Sequence, residues 1–270
     1  MNNPLVTIIM SAYNDEKYIH SAIESIINQT YKNWKLILIN DDSSDNTEAV
    51  IKPFLKNTNR INYIKNKKTN GLITNLNYAL DLADGKYIAR LDSDDIWIDS
   101  EKLNDQVNYL ENHKDYVLTG TWGFKISSDE TPKAPIMYPV TDKKIHNYFL
   151  IENCFIHSSV LIRKSTLDKV GFYDPEFPSA EDYGLWVKLG TSGKLYNLPK
   201  YMTGYRVNPK GISYNKYAEQ ISSSIKIVNK FKDYYPFYTI GLLLWYVRKF
   251  FPRDLREALS RNFRSRFVSK

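Results

Sequence analysis

Cysteine is almost absent from this chain. Cys154 is the only one among 270 residues, which excludes a disulfide framework and a cysteine-based zinc cluster. Long hydrophobic runs are also missing: the longest, from Phe237 to Val247, is interrupted by Thr239 and Gly241. It falls short of the roughly 18 apolar residues that a membrane span needs. The opening residues lack the basic start and apolar run of a signal peptide, so we expect a cytoplasmic setting.

The chain does have a globular composition with an uneven charge. Hydrophobic residues make up 43% and aromatic residues 14%, which is typical of a protein with a packed core. The net charge is +7, yet residues 214–270 carry twelve Lys and Arg against four Asp and Glu, leaving −1 for residues 1–213. We therefore predict a catalytic domain at 1–213, with halves 1–115 and 116–213, and a helical basic extension at 214–270.

The first 115 residues alternate between short apolar runs and amphipathic helical patterns. This alternation predicts βαβ units, and hence an α/β fold with a mostly parallel central sheet and flanking helices. After residue 115 the pattern weakens, and residues 131–141 look like a loop because they contain several prolines. The predicted strands are 6–10, 35–39, 61–65, 87–91, 116–119 and 160–163.

Polar side chains follow three of these strands where each one ends. They lie at residues 11–14, at 41–45 and at 92–95. Ligands of parallel α/β sheets bind outside the carboxyl ends of the strands, so we expect these three groups to converge at one edge. Asn14 or Asp15, and Ser44 or Asp45, could instead cap the helices that follow.

The most informative of these groups is Asp92-Ser93-Asp94-Asp95. Mg²⁺-type sites use one or two carboxylates together with substrate phosphates and water, and Asp92 and Asp94 project to the same side of an extended chain. The alternative is a capped or solvated turn, which suits Asp95 best because that residue leads towards the next helix. We predict a metal–diphosphate site with Asp92 and Asp94 as ligands and Asp95 as a further candidate.

Two other acidic pairs allow a functional and a structural interpretation. Asp41 and Asp42 could hydrogen-bond a nucleoside, or could be turn and cap residues. Glu181 and Asp182 precede a helical pattern, where acids suit the helix dipole. One of them could equally be a general base that takes the proton of an incoming hydroxyl.

Taken together, the motifs resemble the family 2 glycosyltransferases with the GT-A fold, of the kind that builds bacterial cell-surface polysaccharides. The resemblance covers residues 4 to about 213, and five short motifs occur in the family's order and spacing. They are Val6 to Asn14, Ser25 to Tyr31, Asp41 to Asp45, Gly85 to Asp95, and Glu181 to Trp186.

The resemblance implies a role for each matched residue. Asp92-Ser93-Asp94 corresponds to the DxD motif, which brings Mg²⁺ or Mn²⁺ to the sugar-nucleotide diphosphate. Asp182 corresponds to the catalytic base, with Glu181 as its neighbour. The other implied contacts are Ser11, Tyr13 and Asp42 to the nucleoside, Asn70, Gly71 and Asn77 along the donor site, and Arg90 near the diphosphate.

The implied activity is inverting transfer of a sugar from a nucleotide donor, with a UDP-sugar expected, to a hydroxyl of a glycan or of a polyprenyl-diphosphate-linked glycan. A second hypothesis is a catalytically inactive GT-A module that binds sugar nucleotides. A third, a nucleotidyltransferase, would be expected to show a Gly-rich basic loop, whereas residues 11–20 contain no glycine. The chain departs from the family in having Asn208 where relatives often have histidine, with His157 as a candidate substitute, and Leu76 where relatives often have arginine.

The basic extension needs its own explanation. Residues 236–270 combine apolar and aromatic residues with arginines, as in an interfacial helix that binds an anionic membrane surface. The alternative is a C-terminal helix packed on the catalytic domain with solvated charges. We expect association with the inner face of the cytoplasmic membrane. We expect no nucleic-acid binding, since no matching module is present and the catalytic part is near neutral.

Overall fold

The computed structural model describes residues 3–208 and 215–250. A nine-stranded sheet lies at its centre, with helices on both faces. The strands are β1 (Val6–Ala12), β2 (Trp34–Asn40), β3 (Ile61–Lys65), β4 (Tyr87–Arg90), β5 (Ile96–Trp97), β6 (Tyr116–Ile126), β7 (Pro132–Ile136), β8 (Leu161–Arg163) and β9 (Lys194–Arg206). The helices are α1 (Ile19–Ile27), α2 (Thr47–Asn57), α3 (Leu72–Asp81), α4 (Lys102–Asn112), α5 (Asp142–Tyr148), α6 (Lys164–Val170), α7 (Glu181–Gly190), α8 (Tyr217–Lys230) and α9 (Tyr238–Phe250).

The strand order is β3-β2-β1-β4-β8-β6-β9-β5, with β7 paired to β6. Strands β1 to β4 pair in parallel, which confirms the prediction for the first half. Strand β8 then joins β4 in antiparallel orientation and connects the sheet to the parallel pair β6 and β9. The carboxyl ends of β1, β2 and β4 therefore lie next to one another, as the site requires.

Two features of the second half differ from the sequence predictions. The loop predicted at 131–141 is wrong for Pro132–Ile136, which forms an edge strand against the end of β6. Its prolines are compatible with an edge position, because an edge strand can leave one row of ladder donors unused. Strand β9, of 13 residues, had no predicted counterpart.

The sheet is buried on both faces, and each face has its own core. Val6, Ile8 and Met10 share one core with residues of α1 and α4, while Ile9 belongs to the other core, which includes residues of α3 and the C-terminal helices. Burial on both faces explains why β1 reads as a continuous apolar run rather than an alternating one.

The described helices of the extension pack directly on the second half of the chain. In α8, Ser223 Oγ donates to Pro178 O at 2.7 Å. In α9, Trp245 Nε1 donates to Leu150 O at 3.1 Å, and a Cβ on Gly241 would lie only 2.4 Å from Leu150 O. Among residues 3–208 and 215–250, no helix has the length and apolar character needed to cross a bilayer.

Candidate active site

The acidic cluster follows β4 directly, and the buried side chain of Arg90 contacts it. The Arg90 side chain is fully buried; its Nη1 donates to Ile9 O at 3.0 Å, and its Nη2 donates to Asp92 Oδ1. In this structure the Arg90 guanidinium has no exposed surface and contacts Asp92, so it orients that carboxylate. Its predicted place near the diphosphate stays a prediction.

Asp92 is held by groups on three sides. Besides Arg90, Ser158 Oγ donates to Asp92 Oδ2 at 3.0 Å, and His157 Nδ1 lies 3.6 Å from the same oxygen. Burial disfavours the charge on Asp92, but Arg90 and these neighbours outweigh it and lower the pKa below its ordinary value. Burial lowers the pKa of His157 to about 4 despite the attraction of Asp92, so His157 is neutral near pH 7.

Asp95 does not begin a helix, which corrects one interpretation of the sequence. It is 1% exposed and precedes β5, whereas α4 begins seven residues later at Lys102. Its carboxylate accepts hydrogen bonds from Ser158 Oγ and, at 2.7 Å, from the backbone N–H of Arg206. Both oxygens of Asp95 are thus used to tie the acidic turn to β8 and β9, and burial followed by the charges of Asp94 and Asp92 raises its pKa.

Asp94, like Asp92, is partly exposed. Asn208 Nδ2 donates to its Oδ2 at 3.3 Å. Burial, with the nearby charges of Asp92 and Asp15, raises the pKa of Asp94 to about 7. Asn208 thus reaches the cluster from the position where relatives often have histidine.

The donor set fits a divalent ion only if a substrate completes its coordination. Among the described residues, no group of three or more His, Cys, Asp and Glu side chains converges on a metal position. Magnesium-type ions are commonly bound by one or two carboxylates plus substrate phosphates. Asp94, with Asp92 beside it, is suited to such a shared site, and a cation there would relieve the repulsion that raises the pKa of Asp94.

At the end of β2, the two acids of the Asp41–Asp42 pair have different environments. Asp41 is 3% exposed and accepts hydrogen bonds from Asn66 Nδ2 at 2.7 Å and from the backbone N–H groups of Asn70 and Gly71 at 2.9 and 3.0 Å. Asp42 is exposed, with a left-handed φ of 60°. Asp41 therefore holds the 70–71 loop in place, while Asp42 remains open towards a ligand.

The end of β1 is joined to the acidic cluster by a serine. Ser93 Oγ contacts Ser11 O at 3.1 Å and donates to Asp15 Oδ2 at 2.5 Å. Asp15 was a candidate helix cap, but its side chain is directed to this junction, and burial raises its pKa. Tyr13, two residues along from Ser11, is 53% exposed.

Asn77 joins α3 to the chain that follows α6. Its Nδ2 donates to Tyr173 O at 2.9 Å, and its Oδ1 accepts from Tyr173 N at 3.0 Å. Both ends of the amide are thus used within the protein, and the predicted place of Asn77 along the donor site stays a prediction. The Tyr173 hydroxyl in turn lies 2.9 Å from His157 Nε2. Contacts therefore run from Asn77 through Tyr173 and His157 to Asp92.

The second acidic pair lies at the first turn of α7. Asn153 Nδ2 donates to Asp182 Oδ2 at 2.8 Å. Burial raises the pKa of Asp182 to about 6, while Tyr183 N–H and Asn153 oppose the rise. Burial and the charge of Asp182 raise the pKa of Glu181 to about 8. At neutral pH, Asp182 is therefore the ionised member, which is the state a general base requires.

The two acidic groups face one site. The charge of Asp92 contributes to the raised pKa of both Asp182 and Glu181, and Asp92, Glu181 and Asp182 all act on the buried hydroxyl of Tyr173. The acidic turn after β4 and the first turn of α7 are therefore close enough for their charges to interact.

This sheet, with acidic residues at the carboxyl ends of β2 and β4, defines a GT-A-type transferase. The chain belongs to glycosyl transferase family 2, whose sequence model matches residues 7–171. It is 34% identical over 223 residues to the UDP-Glc:alpha-D-GlcNAc-diphosphoundecaprenol beta-1,3-glucosyltransferase WfaP of Escherichia coli, covering 82% of this chain and 84% of that protein.

Solved structures share the fold at low sequence identity. TarS of S. aureus, in complex with UDP-GlcNAc, superposes with a TM-score of 0.69 at 18% identity, over 88% of this chain and 70% of that one. The mannosyltransferase PcManGT of Pyrobaculum calidifontis, in complex with GDP-Man and Mn²⁺, gives 0.67 at 15% identity, over 93% and 70%. These likenesses establish the GT-A fold.

Proposed function

We propose that this glycosyltransferase moves a sugar from a UDP-sugar to a hydroxyl of a glycan carried on polyprenyl diphosphate, with inversion at the anomeric carbon. The observation that supports the proposal is that the acidic turn, where Asp92 and Asp94 are partly exposed, is close enough to Asp182 for their charges to interact. The E. coli relative, named for UDP-Glc and a GlcNAc-diphosphoundecaprenol acceptor, supports the choice of donor and acceptor class.

On the donor side, Asp42, Ser11 and Tyr13 bind the nucleoside, and the loop at Asn70 and Gly71 lies beside it, held by Asp41. Asp94 and Asp92 would hold Mn²⁺ or Mg²⁺, which when bound offsets the negative charge that develops on the leaving diphosphate. Ser93 keeps the acidic turn joined to β1.

On the acceptor side, Asp182 accepts the proton of the acceptor hydroxyl as its oxygen attacks the anomeric carbon. The diphosphate leaves from the opposite face, so an α-linked donor gives a β-linked product. Glu181, with its higher pKa, stays protonated and adds no second negative charge beside the base. Such a base typically contributes 10²- to 10⁴-fold to the rate.

Product analysis tests this function against its alternatives. The protein would be incubated with Mn²⁺, a panel of UDP- and GDP-sugars and a polyprenyl-diphosphate-linked GlcNAc acceptor. We expect UDP and a β-linked disaccharide product. Donor binding without any UDP release would indicate an inactive sugar-nucleotide-binding module. In a parallel incubation with UTP and a sugar 1-phosphate, release of pyrophosphate would indicate a nucleotidyltransferase.

We further propose that residues 214–270 form an extension of the catalytic domain and that 236–270 binds the inner face of the cytoplasmic membrane. While one face of α9 packs on the domain, the other exposes apolar side chains at spacings of three or four residues: Phe237, Ile240, Leu243, Tyr246 and Phe250, between 46% and 80% exposed. The basic residues that follow lie outside the described residues: Arg253, Arg256, Arg261, Arg264, Arg266 and Lys270. An apolar face beside clustered arginines suits an anionic bilayer.

The variant Leu243→Ser/Phe250→Ser should bind vesicles more weakly than the unaltered protein. Both side chains are mostly exposed, at 62% and 80%, so the exchange removes apolar area from the bilayer contact while leaving the core intact. The measurement is co-sedimentation with phosphatidylglycerol-containing vesicles, where we expect a loss of about tenfold or more. Leu82→Ser, at a 42% exposed leucine beyond the end of α3, is the matched control. Equal binding by all three proteins would reject this membrane surface.

A further inference from the structure

The proposed base is joined to a segment that another helix holds in place. Residues 149–155, here called the support segment, run between α5 and the turn that carries His157. Six of its seven residues are buried, and the partly exposed one is Asn153. Asn153 is also the residue of the segment whose side chain contacts Asp182.

The amide of Asn153 is fixed at both ends. Its Oδ1 accepts a hydrogen bond from Phe155 N at 3.2 Å, and its Nδ2 donates to Asp182 Oδ2 at 2.8 Å. The first bond fixes the direction of the amide plane, so the donor points at the carboxylate. Since Asp182 Oδ1 accepts from Tyr183 N at 2.6 Å, the carboxylate is held on both of its oxygens.

Side chains of helices α7 and α9 donate hydrogen bonds to three carbonyl groups of the support segment. From α7, the Tyr183 hydroxyl donates to Phe149 O. From α9, Trp245 Nε1 donates to Leu150 O at 3.1 Å, and Arg248 Nη1 donates to Ile151 O at 2.6 Å. These three consecutive carbonyls end two residues before Asn153, so movement of α9 would be transmitted to the amide that touches the base.

We propose that Asn153 is a positioning residue for Asp182, and that helix α9 sets its position through the carbonyls of Leu150 and Ile151. This inference rests on Asp182 being the base, as proposed above. It gives α9 two roles on opposite faces, because the face away from the support segment carries the exposed apolar residues. Arg248 is thus an internal donor rather than one of the cations free to meet a membrane.

The variant Asn153→Asp tests the first step. It keeps the shape and the acceptor for Phe155 N but places a carboxylate where the donor to Asp182 was. Loss of a hydrogen bond to a charged group is worth about tenfold or more, so kcat should fall by at least about tenfold. The acidic limb of the pH–rate profile should move up by at least about one unit, because Asp182 loses a group that favours its ionised form and faces a second carboxylate instead. The native groups facing Asp182 are unchanged: Glu181 on its own helix, Asp92 from the turn after β4, and Tyr173.

The affinity for the donor nucleotide distinguishes a positioning role of Asn153 from general damage to the fold. Calorimetric binding of UDP with Mn²⁺ should be unchanged in Asn153→Asp, since the amide of Asn153 hydrogen-bonds to Asp182 and Phe155 rather than to the acidic turn. Asn112→Asp is the matched control: Asn112 is exposed at the end of α4, and its amide donates to Asn108 O. That variant should keep the kcat and pH profile of the unaltered protein.

The variant Arg248→Met tests the second step and leaves Asn153 itself in place. With a water-soluble acceptor and no vesicles, we expect kcat to fall several-fold. The acidic limb of the pH–rate profile should again move to higher pH, and UDP binding should be unchanged. Lys226→Met, on the exposed face of α8, is the charge-matched control. Normal kcat and pH profiles in both Asn153→Asp and Arg248→Met, alongside an inactive Asp182→Asn, would overturn this inference alone. Normal turnover of Asp182→Asn would overturn the proposed base as well.

Discussion

Asp182→Asn should reduce transfer on the order of a thousandfold while leaving donor binding intact. The amide keeps the size of the carboxylate but cannot take the proton of the acceptor hydroxyl. In the unaltered protein, the rate should fall as the pH drops through about 6, because burial raises the pKa of Asp182 to that value and only the ionised form is a base. The measurement is UDP release against pH, with calorimetry of UDP and Mn²⁺ for binding.

A surface exchange of the same type controls for the loss of charge. Asp168→Asn removes an exposed carboxylate from α6, where it pairs only with Lys164, and should leave turnover and pH profile unchanged. If Asp182→Asn turned over at a near-normal rate, Asp182 would not be the base, and Glu181 would be the remaining acid at the start of α7.

Strands β1 to β4 could be predicted because their signal is local. Each is a short apolar run, β1 to β3 are each followed by a helix, and the predicted 61–65 matches β3 residue for residue. Strand β9 offers no such signal. Its run contains Pro199, its pairing with β6 shifts register twice around Trp122, and the Nδ2 of its buried Asn197 donates to the carbonyls of Pro139 and Cys154. Those partners are brought together only by the folded chain.

The candidate site divides in the same way. The positions of the acids after β2 and β4 follow from the strand pattern, but the pattern does not indicate which acids stay open. Asp95 is closed by Ser158 and Arg206, 63 and 111 residues away. Asp41 is occupied by backbone N–H groups 29 and 30 residues away. Asn153 carries no motif at all, and the only local indication of its role is an asparagine in an otherwise apolar stretch.

Asp94→Ala should abolish transfer and also weaken metal-dependent donor binding, which distinguishes it from Asp182→Asn. Asp94 is partly exposed, so its carboxylate can meet a shared ion and diphosphate. We expect transfer to fall at least about a thousandfold. The Kd for UDP in the presence of Mn²⁺ should rise at least about tenfold, by calorimetry.

The same variant should be the more stable protein when metal and nucleotide are both absent. Burial and the charges of Asp92 and Asp15 act against the ionised form of Asp94, and removing this carboxylate relieves that repulsion. The melting temperature of metal-free Asp94→Ala should therefore be a few degrees higher. Adding Mn²⁺ and UDP should raise it by less than in the unaltered protein. Asp233→Ala, at an exposed acid between α8 and α9, should change neither quantity. If Mn²⁺ and UDP raised the melting temperature of Asp94→Ala as much as that of the unaltered protein, Asp94 would not belong to the metal–diphosphate site. In that case, a bound cation would not be what relieves the repulsion of Asp94 by Asp92 and Asp15.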